Sequence, residues 1–503
     1  MILTLVPAAF IFILSKGAFS DLSRVITFGV EGVFLLFVLI INRSRFAGGF
    51  VAFKNKKATR DTLVSLGVLI GILNLKFAMA AAVLAIVSIS ECIENRIIGE
   101  TYTSRDPITK SAEKAALMLV PISIAVAVIT YFLWFFGSHD LVRAADACMA
   151  VLFIASPCAF NYAAPITLKI GLEKSAEKGV LIKSAAVLED AHSIDMVVLD
   201  KTGTITVGNP QITDIIAMSD DFDLRLAAGI EKHSVHPLAE AIVSAALERS
   251  GEIAEPETYE EIPGRGAVAR LRGKEYIAGN ATFLESKGIE VDSEEGEELS
   301  RRGKTVVYFA RDEEIIGIIA LRDGPKPTSL RAVSRIENMG IDVIMLTGDN
   351  RETAEAIKKE VGIDRAISQI LPQDKDKVIA NLQADTQKVV AMVGDGISDA
   401  PAIRQADVGF AIGVDDGALP ESADIGIMSD DLNAIGGTIE LSKKVTSKIK
   451  ENLIGVTVYN VAGILVAAGS LYMLTGWAPN PILCSIFMCL SSIGIAINSM
   501  RLR

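Results

Sequence analysis

The chain has little of what would mark a secreted, disulfide-stapled or nucleic-acid-binding protein. Five cysteines occur in 503 residues, no two form a Cys-x-x-Cys pair, and there are only four histidines. Cys92, Cys148, Cys158, Cys484 and Cys489 all lie in or beside apolar stretches. An odd number so placed argues against a disulfide framework. Cys92 and Cys148 read as small buried hydrophobes. The formal charge of −12 is not offset by any basic stripe, which excludes nucleic acid as the main partner. A phosphate-binding glycine loop is also missing. Gly303-Lys304-Thr305 has its ending, but Glu298 stands where the first glycine belongs.

What is present is apolar residue in quantity. Half the chain is hydrophobic and mean hydropathy is +0.41, yet 22% of residues are charged. A membrane portion joined to a large acidic portion accounts for both. Eight apolar segments stand out, at roughly 2–15, 25–42, 62–76, 77–93, 115–136, 144–171, 453–474 and 480–498. Several approach the ~20 residues that span a bilayer. The first lacks a basic n-region, so a span is favoured over a cleaved signal peptide. Arg43, Arg45, Lys54, Lys56, Lys57 and Arg60 cluster between the second and third segments. The positive-inside rule makes that loop cytoplasmic, and alternation then places 172–450 on the same side. Gly48-Gly49 in this loop predicts a helix kinked where it leaves the membrane, or an interfacial loop binding anionic lipid.

Between about Leu172 and Val445 short apolar runs alternate with amphipathic helical patterns, as in an α/β domain. Three predicted strands end in acidic motifs. Ile194–Leu199 leads into Asp200-Lys201-Thr202-Gly203-Thr204. Residues 341–346 lead into Thr347-Gly348-Asp349, and 389–393 into Gly394-Asp395-Gly396-Ile397-Ser398-Asp399. In a parallel sheet such strand ends converge on one crevice. Carboxylates gathered there repel unless a divalent cation joins them, and Mg²⁺ is the natural companion of nucleotide phosphates. An Asp held with a Lys and two hydroxyls can act as a nucleophile toward phosphorus.

These three motifs, in this order, resemble the haloacid-dehalogenase-like phosphorylation domain of the P-type ATPases, and the resemblance covers nearly the whole chain. It implies a multidomain α-helical membrane protein with a cytoplasmic α/β phosphorylation domain and an inserted α+β nucleotide-binding domain. The implied boundaries are a membrane domain at 1–172, phosphorylation domain at 173–206 and 323–447, nucleotide-binding domain at 207–322, and two last spans at 448–503. By the resemblance Asp200 is the nucleophile, with Lys201, Gly348, Asp349 and Asp399 around it. Thr202 (through its carbonyl) and Asp395 join Asp200 on Mg²⁺, and Thr347 and Lys375 hold phosphoryl oxygens. Ser398 replaces the family's usual Asn.

Within 207–322, Ser234-Val235-His236-Pro237-Leu238 resembles an element of the heavy-metal (class IB) subclass. Gly264, Gly266 and Gly279-Asn280 resemble its adenine pocket, so His236, Pro237, Gly264, Gly266 and Asn280 are implied ATP contacts. His233 and His236, three apart, leave a metal pair as the alternative.

In the sixth apolar segment Pro157 breaks the backbone ladder and frees carbonyls near mid-membrane. Ser156-Pro157-Cys158 resembles the cobalt/zinc-type signature of heavy-metal pumps. Tyr459-Asn460 and Met488 through Ser491-Ser492 resemble the copper type. Cys484, Met488 and Ser492 recur every four residues and share a helix face. Soft donors select Cu(I), so Cys158, Cys484 and Met488 are read as a soft cargo site, with simple packing as the alternative. By the resemblance Gly48-Gly49 is a docking platform for a metal donor. The family's actuator domain, whose Thr-Gly-Glu motif positions water against the aspartyl phosphate, has no counterpart: the loop runs only from about 95 to 115, and no Thr-Gly-Glu occurs anywhere. Nor is there an N-terminal metal-binding domain in the sequence. The reading is ATP-driven transition-metal transport with ATP and Mg²⁺, in a lipid bilayer, with a separate actuator-like polypeptide as a partner. The alternative is a phosphorylatable sensor or degenerate transporter that does not pump.

Overall fold

The computed structural model describes residues 24–55, 59–98, 107–250, 253–262, 264–291, 293–414 and 418–502. The first apolar segment at 2–15, Lys56 and Lys57, Gly99-Glu100 with the rest of 99–106, and Pro263 lie outside the described residues. Two compact units emerge, one of Met1–Lys174 with Ser442–Arg503, the other of Ser175–Leu441.

The helices that build the first unit are α1 (Arg24–Ile41), α2 (Arg43–Lys54), α3 (Arg60–Leu73), α4 (Phe77–Ile98), α5 (Pro107–Ser138), α6 (Leu141–Ile154), α7 (Pro157–Glu177), α8 (Asn433–Ala468) and α9 (Pro481–Met500). Among the described residues, five stretches are long and apolar enough to cross a bilayer, or six if α1 and α2 count as one bent span. Eight were expected. The 62–76 segment falls short because α3 has only 14 residues, a rise of about 21 Å against a core of about 30 Å.

The bend of 63° between α1 and α2 comes at Asn42, not at Gly48-Gly49. Those glycines sit inside the unbroken helix α2, and Gly49 serves packing instead. A Cβ on Gly49 would lie 2.8 Å from the Asp61 carbonyl oxygen, and the Gly49 carbonyl accepts the Thr62 hydroxyl at 3.0 Å. Gly49 therefore lets α2 and α3 touch backbone to backbone. The unit's core includes Leu84, Val87, Cys148, Met149, Phe153, Cys484 and Met488. Cys148 is buried as expected, but Cys92 is exposed on α4.

The described part of the second unit holds thirteen strands. They are β1 (Val180–Ile182), β2 (Met196–Asp200), β3 (Gln211–Ala217), β4 (Thr258–Ile262), β5 (Gly266–Leu271), β6 (Lys274–Gly279), β7 (Thr305–Arg311), β8 (Glu314–Arg322), β9 (Asp342–Leu346), β10 (Arg365–Ile367), β11 (Val390–Gly394), β12 (Val408–Ile412) and β13 (Ile425–Ile427). One sheet has the order β1-β13-β12-β11-β2-β9-β10, parallel apart from β1. Its central strands β2, β11 and β12 are buried along their whole length, as a parallel sheet covered on both faces requires. The other sheet is antiparallel, β3-β8-β7-β6-β5-β4, and is carried between β2 and β9 of the first. In the parallel sheet β2 is flanked by β11 and β9, with Leu199 opposite Val393 and Asp200 opposite Leu346. That register brings the three strand-end motifs to one edge.

Candidate functional site

Asp200 is the last residue of a fully buried strand and is itself 5% exposed. The chain then turns sharply, with Gly203 at φ 73°, a conformation glycine adopts without Cβ strain. Thr206 N–H closes the turn on the Lys201 carbonyl at 3.0 Å. The turn is held from outside by Lys326, whose ammonium donates to the Gly203 carbonyl at 2.7 Å, and by Asp323, which accepts the Gly208 N–H at 3.0 Å and the Thr206 hydroxyl.

Lys375 places its ammonium 2.6 Å from Asp200 Oδ1 and 2.7 Å from Asp399 Oδ1. Asp399 approaches this closely because Gly394 has no side chain; a Cβ there would fall 2.3 Å from Asp399 Oδ2. Burial, and then the neighbouring Asp399 charge, raise the Asp200 pKa above the ordinary carboxylate range. Burial alone would lower Lys375, but the two carboxylates outweigh it and raise it. Lys201 turns the other way and pairs with Asp349 at 2.6 Å. Thr347 is buried, its hydroxyl accepting the Asp349 N–H at 3.1 Å. Gly348 links the two.

Asp395 is exposed at the rim. One of its oxygens accepts the Ile397 and Ser398 N–H groups, both at 2.9 Å, and the other the Ser398 hydroxyl at 2.9 Å. Ser398 thus steadies Asp395 despite its shorter side chain. Asp200, Asp395 and Asp399 set three carboxyl groups against the one ammonium of Lys375. Asp399 Oδ2 is buried with no hydrogen-bond partner. An all-oxygen site with that imbalance fits a hard divalent cation such as Mg²⁺.

On the other sheet, His236 precedes the helix Pro237–Ser250 and accepts the Leu238 N–H on Nδ1 at 3.2 Å, leaving Nε2 free. Its electrostatic neighbours are Glu261, Asp349 and Lys201, so it faces the Asp200 edge. Lost hydration in this cleft lowers its pKa, favouring the neutral ring. His233 diverges from it, pairing with Glu255 at 3.1 Å and meeting Tyr259 edge-on. The two histidines do not form a metal pair. Gly266 and Gly279 face each other across β5 and β6, where a Cβ on Gly266 would lie 2.1 Å from the Ala278 carbonyl oxygen. Asn280 caps the following helix, its Oδ1 accepting Phe283 N–H at 2.9 Å. Gly264, at φ 73°, turns the chain into β5. Lys304 pairs with Asp214, away from any phosphate site.

In the first unit the break at Ala155-Ser156 is repaired by α8. Asn460 Oδ1 accepts the Ser156 N–H at 2.8 Å, and the Tyr459 hydroxyl donates to the Ile154 carbonyl at 3.1 Å. Cys158 Sγ lies 3.5 Å from Ser156 Oγ and 3.8 Å from Ser492 Oγ. Cys484 and Met488 are fully buried on one face of α9, and Tyr459 has both Cys484 and Cys158 as electrostatic neighbours. Among the described residues, no three His, Cys, Asp or Glu side chains converge as a ready metal cage.

Residues 194–407 match the haloacid dehalogenase-like hydrolase family model. A probable copper-exporting P-type ATPase of Archaeoglobus fulgidus is 41% identical over 414 residues, covering 81% of this chain and 51% of that protein. A copper-exporting P-type ATPase of Bacillus subtilis is 39% identical over 415 residues, again 81% and 51%. In sequence the chain is similar to these heavy-metal P-type ATPases. It spans about half the length of the curated relatives it matches. In fold it is similar to a zinc-transporting class IB ATPase crystallised in an E2·Pi state, with a TM-score of 0.67, 23% identity and 99% of each chain covered.

Three features of the chain escaped sequence reasoning. Asp323 and Lys326 clamp the Asp200 turn; the Asp-Gly-Pro-Lys-Pro run after β8 was their only signal. Glu231, 7% exposed beside Glu261, is pushed up to about 7 by burial and that neighbour's charge. Arg60 and Glu94 form a buried pair at 2.9 Å in the membrane unit, though Arg60 had been read only as part of a basic loop.

Proposed function

We propose that the chain is an ATP-driven metal transporter working through an aspartyl phosphate on Asp200, with Cu(I), ahead of cobalt or zinc, as its cargo. The observation that carries this is the single Lys375 ammonium shared by Asp200 and Asp399 at the sheet edge that His236 faces. An oxygen of Asp200 attacks the γ-phosphorus of ATP; the bond to the bridging oxygen breaks and ADP leaves with its electron pair. Lys375 opposes the burial that favours a protonated Asp200, and together with Thr347 it offsets charge on the transferred phosphoryl group. Lys201 is held ready by Asp349. Asp200, the Thr202 carbonyl and Asp395 would hold Mg²⁺, which would supply charge neutralisation. His236, Pro237, Gly264, Gly266 and Asn280 form the nucleotide cleft, with neutral His236 against the base.

Ser156, Cys158, Tyr459, Asn460 and Ser492 border the cargo path, and Cys484 with Met488 supplies soft donors. The names of the curated relatives support copper. The topology proposed is the eight spans read from the sequence, with the Ser175–Leu441 unit cytoplasmic. The domain limits proposed are those set out above from the sequence, and a metal donor or a separate actuator-like polypeptide is the proposed partner.

Labelled ATP tests the reading. A phosphoenzyme that forms in the full chain, responds to Cu(I), and is lost in Asp200→Asn supports it. Unchanged Cu(I) response in Cys484→Ala removes that residue from the cargo site. The missing Thr-Gly-Glu favours a second reading, a protein that is phosphorylated without pumping. A long-lived phosphoenzyme with no metal flux into vesicles would select it.

A further inference from the structure

Arg60 stands at the first turn of α3, yet its side chain is only 10% exposed. Its guanidinium lies 2.9 Å from Glu94 Oε2 and 3.7 Å from Cys158 Sγ. Glu94, 4% exposed, also accepts the Ser90 hydroxyl at 2.8 Å and a hydrogen bond from Tyr162. Cys158 in turn touches Ser156 and Ser492, the groups read as bordering the cargo path. An anionic carboxylate and a thiol thus converge beside the helix break, and the cation between them is part of the protein. Arginine cannot shed its charge, so the cation beside Glu94 and Cys158 is permanent. An ionised residue inside a membrane unit is costly and marks function by default.

We infer that Arg60 is a tethered counter-cation at the cargo site, so that a metal ion reaches Cys158 and Glu94 only as the guanidinium leaves. A metal–sulfur bond is about 2.3 Å, which would set a bound cation close against a guanidinium 3.7 Å from the same sulfur. Like charges that close in a low-dielectric interior repel strongly. Exchange avoids that repulsion and keeps Glu94 paired in both states, so neither state leaves a bare buried charge. This inference rests on the transport reading, and it makes Arg60 the residue that sets which cation can compete.

The test is metal binding to the purified full chain in detergent, without nucleotide, by competition with a chromogenic chelator for Cu(I) and separately for Zn²⁺. Arg60→Gln should bind Cu(I) roughly tenfold or more tightly than the unaltered chain. Arg60→Lys, which keeps the charge, should show no gain, and the gain should vanish in Arg60→Gln with Cys158→Ser. Equal or weaker binding by Arg60→Gln would overturn the inference, since it would make Arg60 an activator of the thiol or a structural strut. A gain that persists without Cys158 would overturn it too. If Arg60→Gln does not fold, Arg60→Met carries the same test with similar volume. No ATP enters the measurement, so failure of Asp200 phosphorylation would sink the transport reading and leave this result standing.

Discussion

The Lys375 ammonium sits 2.6 Å from Asp200 Oδ1 while bonding Asp399 at 2.7 Å, so one cation bridges two buried carboxyl groups. Removing it leaves two like charges in a dry pocket. Lys375→Met should destabilise the protein by about 3 kcal/mol and cut phosphoenzyme formation by roughly 100-fold or more. Adding Asp399→Asn should restore much of the stability and none of the phosphorylation. Thermal unfolding and labelled-ATP transfer on the same preparations separate the two effects.

Asn460 supplies the acceptor that the Ser156 N–H lost to Pro157. Asn460→Ala should lower stability in detergent by about 1–2 kcal/mol, because an amide is left bare in an apolar setting. Asn460→Asp, which keeps an acceptor, should lose less. Equal loss in both would assign the effect to the Asn460 amide bond to the Val456 carbonyl instead.

The acid Glu231 has its pKa raised from 4.5 to about 7 by burial and by Glu261. The folded state therefore holds this proton more tightly than the unfolded chain. Its favourable contribution is complete below about pH 4.5 and is lost as pH rises through about 7. Glu231→Gln should flatten this dependence and be more stable than the unaltered chain at pH 8, by on the order of 2 kcal/mol. Unfolding curves at pH 5.5 and 8 for both proteins decide it.

Gly48 and Gly49 are neighbours with opposite expectations. Nothing lies within 4 Å of a Cβ on Gly48, whereas one on Gly49 meets Asp61 backbone at 2.8 Å. Gly48→Ala should be neutral or stabilising by up to about 1 kcal/mol, as in any helix interior. Gly49→Ala should cost about 1–3 kcal/mol through overpacking. Equal sensitivity of both positions would revive a hinge at the double glycine.

Much of the strand-end edge was legible in the chain because its parts are local. Each acidic motif follows an apolar run that can only be a buried strand, so Asp200, Thr347 and Asp395 had to arrive at a common edge once the strands ran parallel. The bend at Asn42 was not legible. A double glycine is a common breaker, but in α2 it met a partner helix that rewarded close approach over bending. Cys92 was misjudged for a related reason, since apolar neighbours in sequence do not reveal which helix face turns outward.

The sequence by itself determined the strand-end motifs and the apolar segments, because short motifs and hydrophobic periodicity are properties of neighbouring residues. Tertiary structure alone decided what meets Cys158. Arg60 is 98 positions away from it, and Asn460 is 304 positions from the Ser156 N–H it completes. A buried charge or a bare amide takes whichever partner packing brings within reach, and no local pattern announces that partner. Whether the thiol faces a metal or an arginine is therefore a fact of the folded chain.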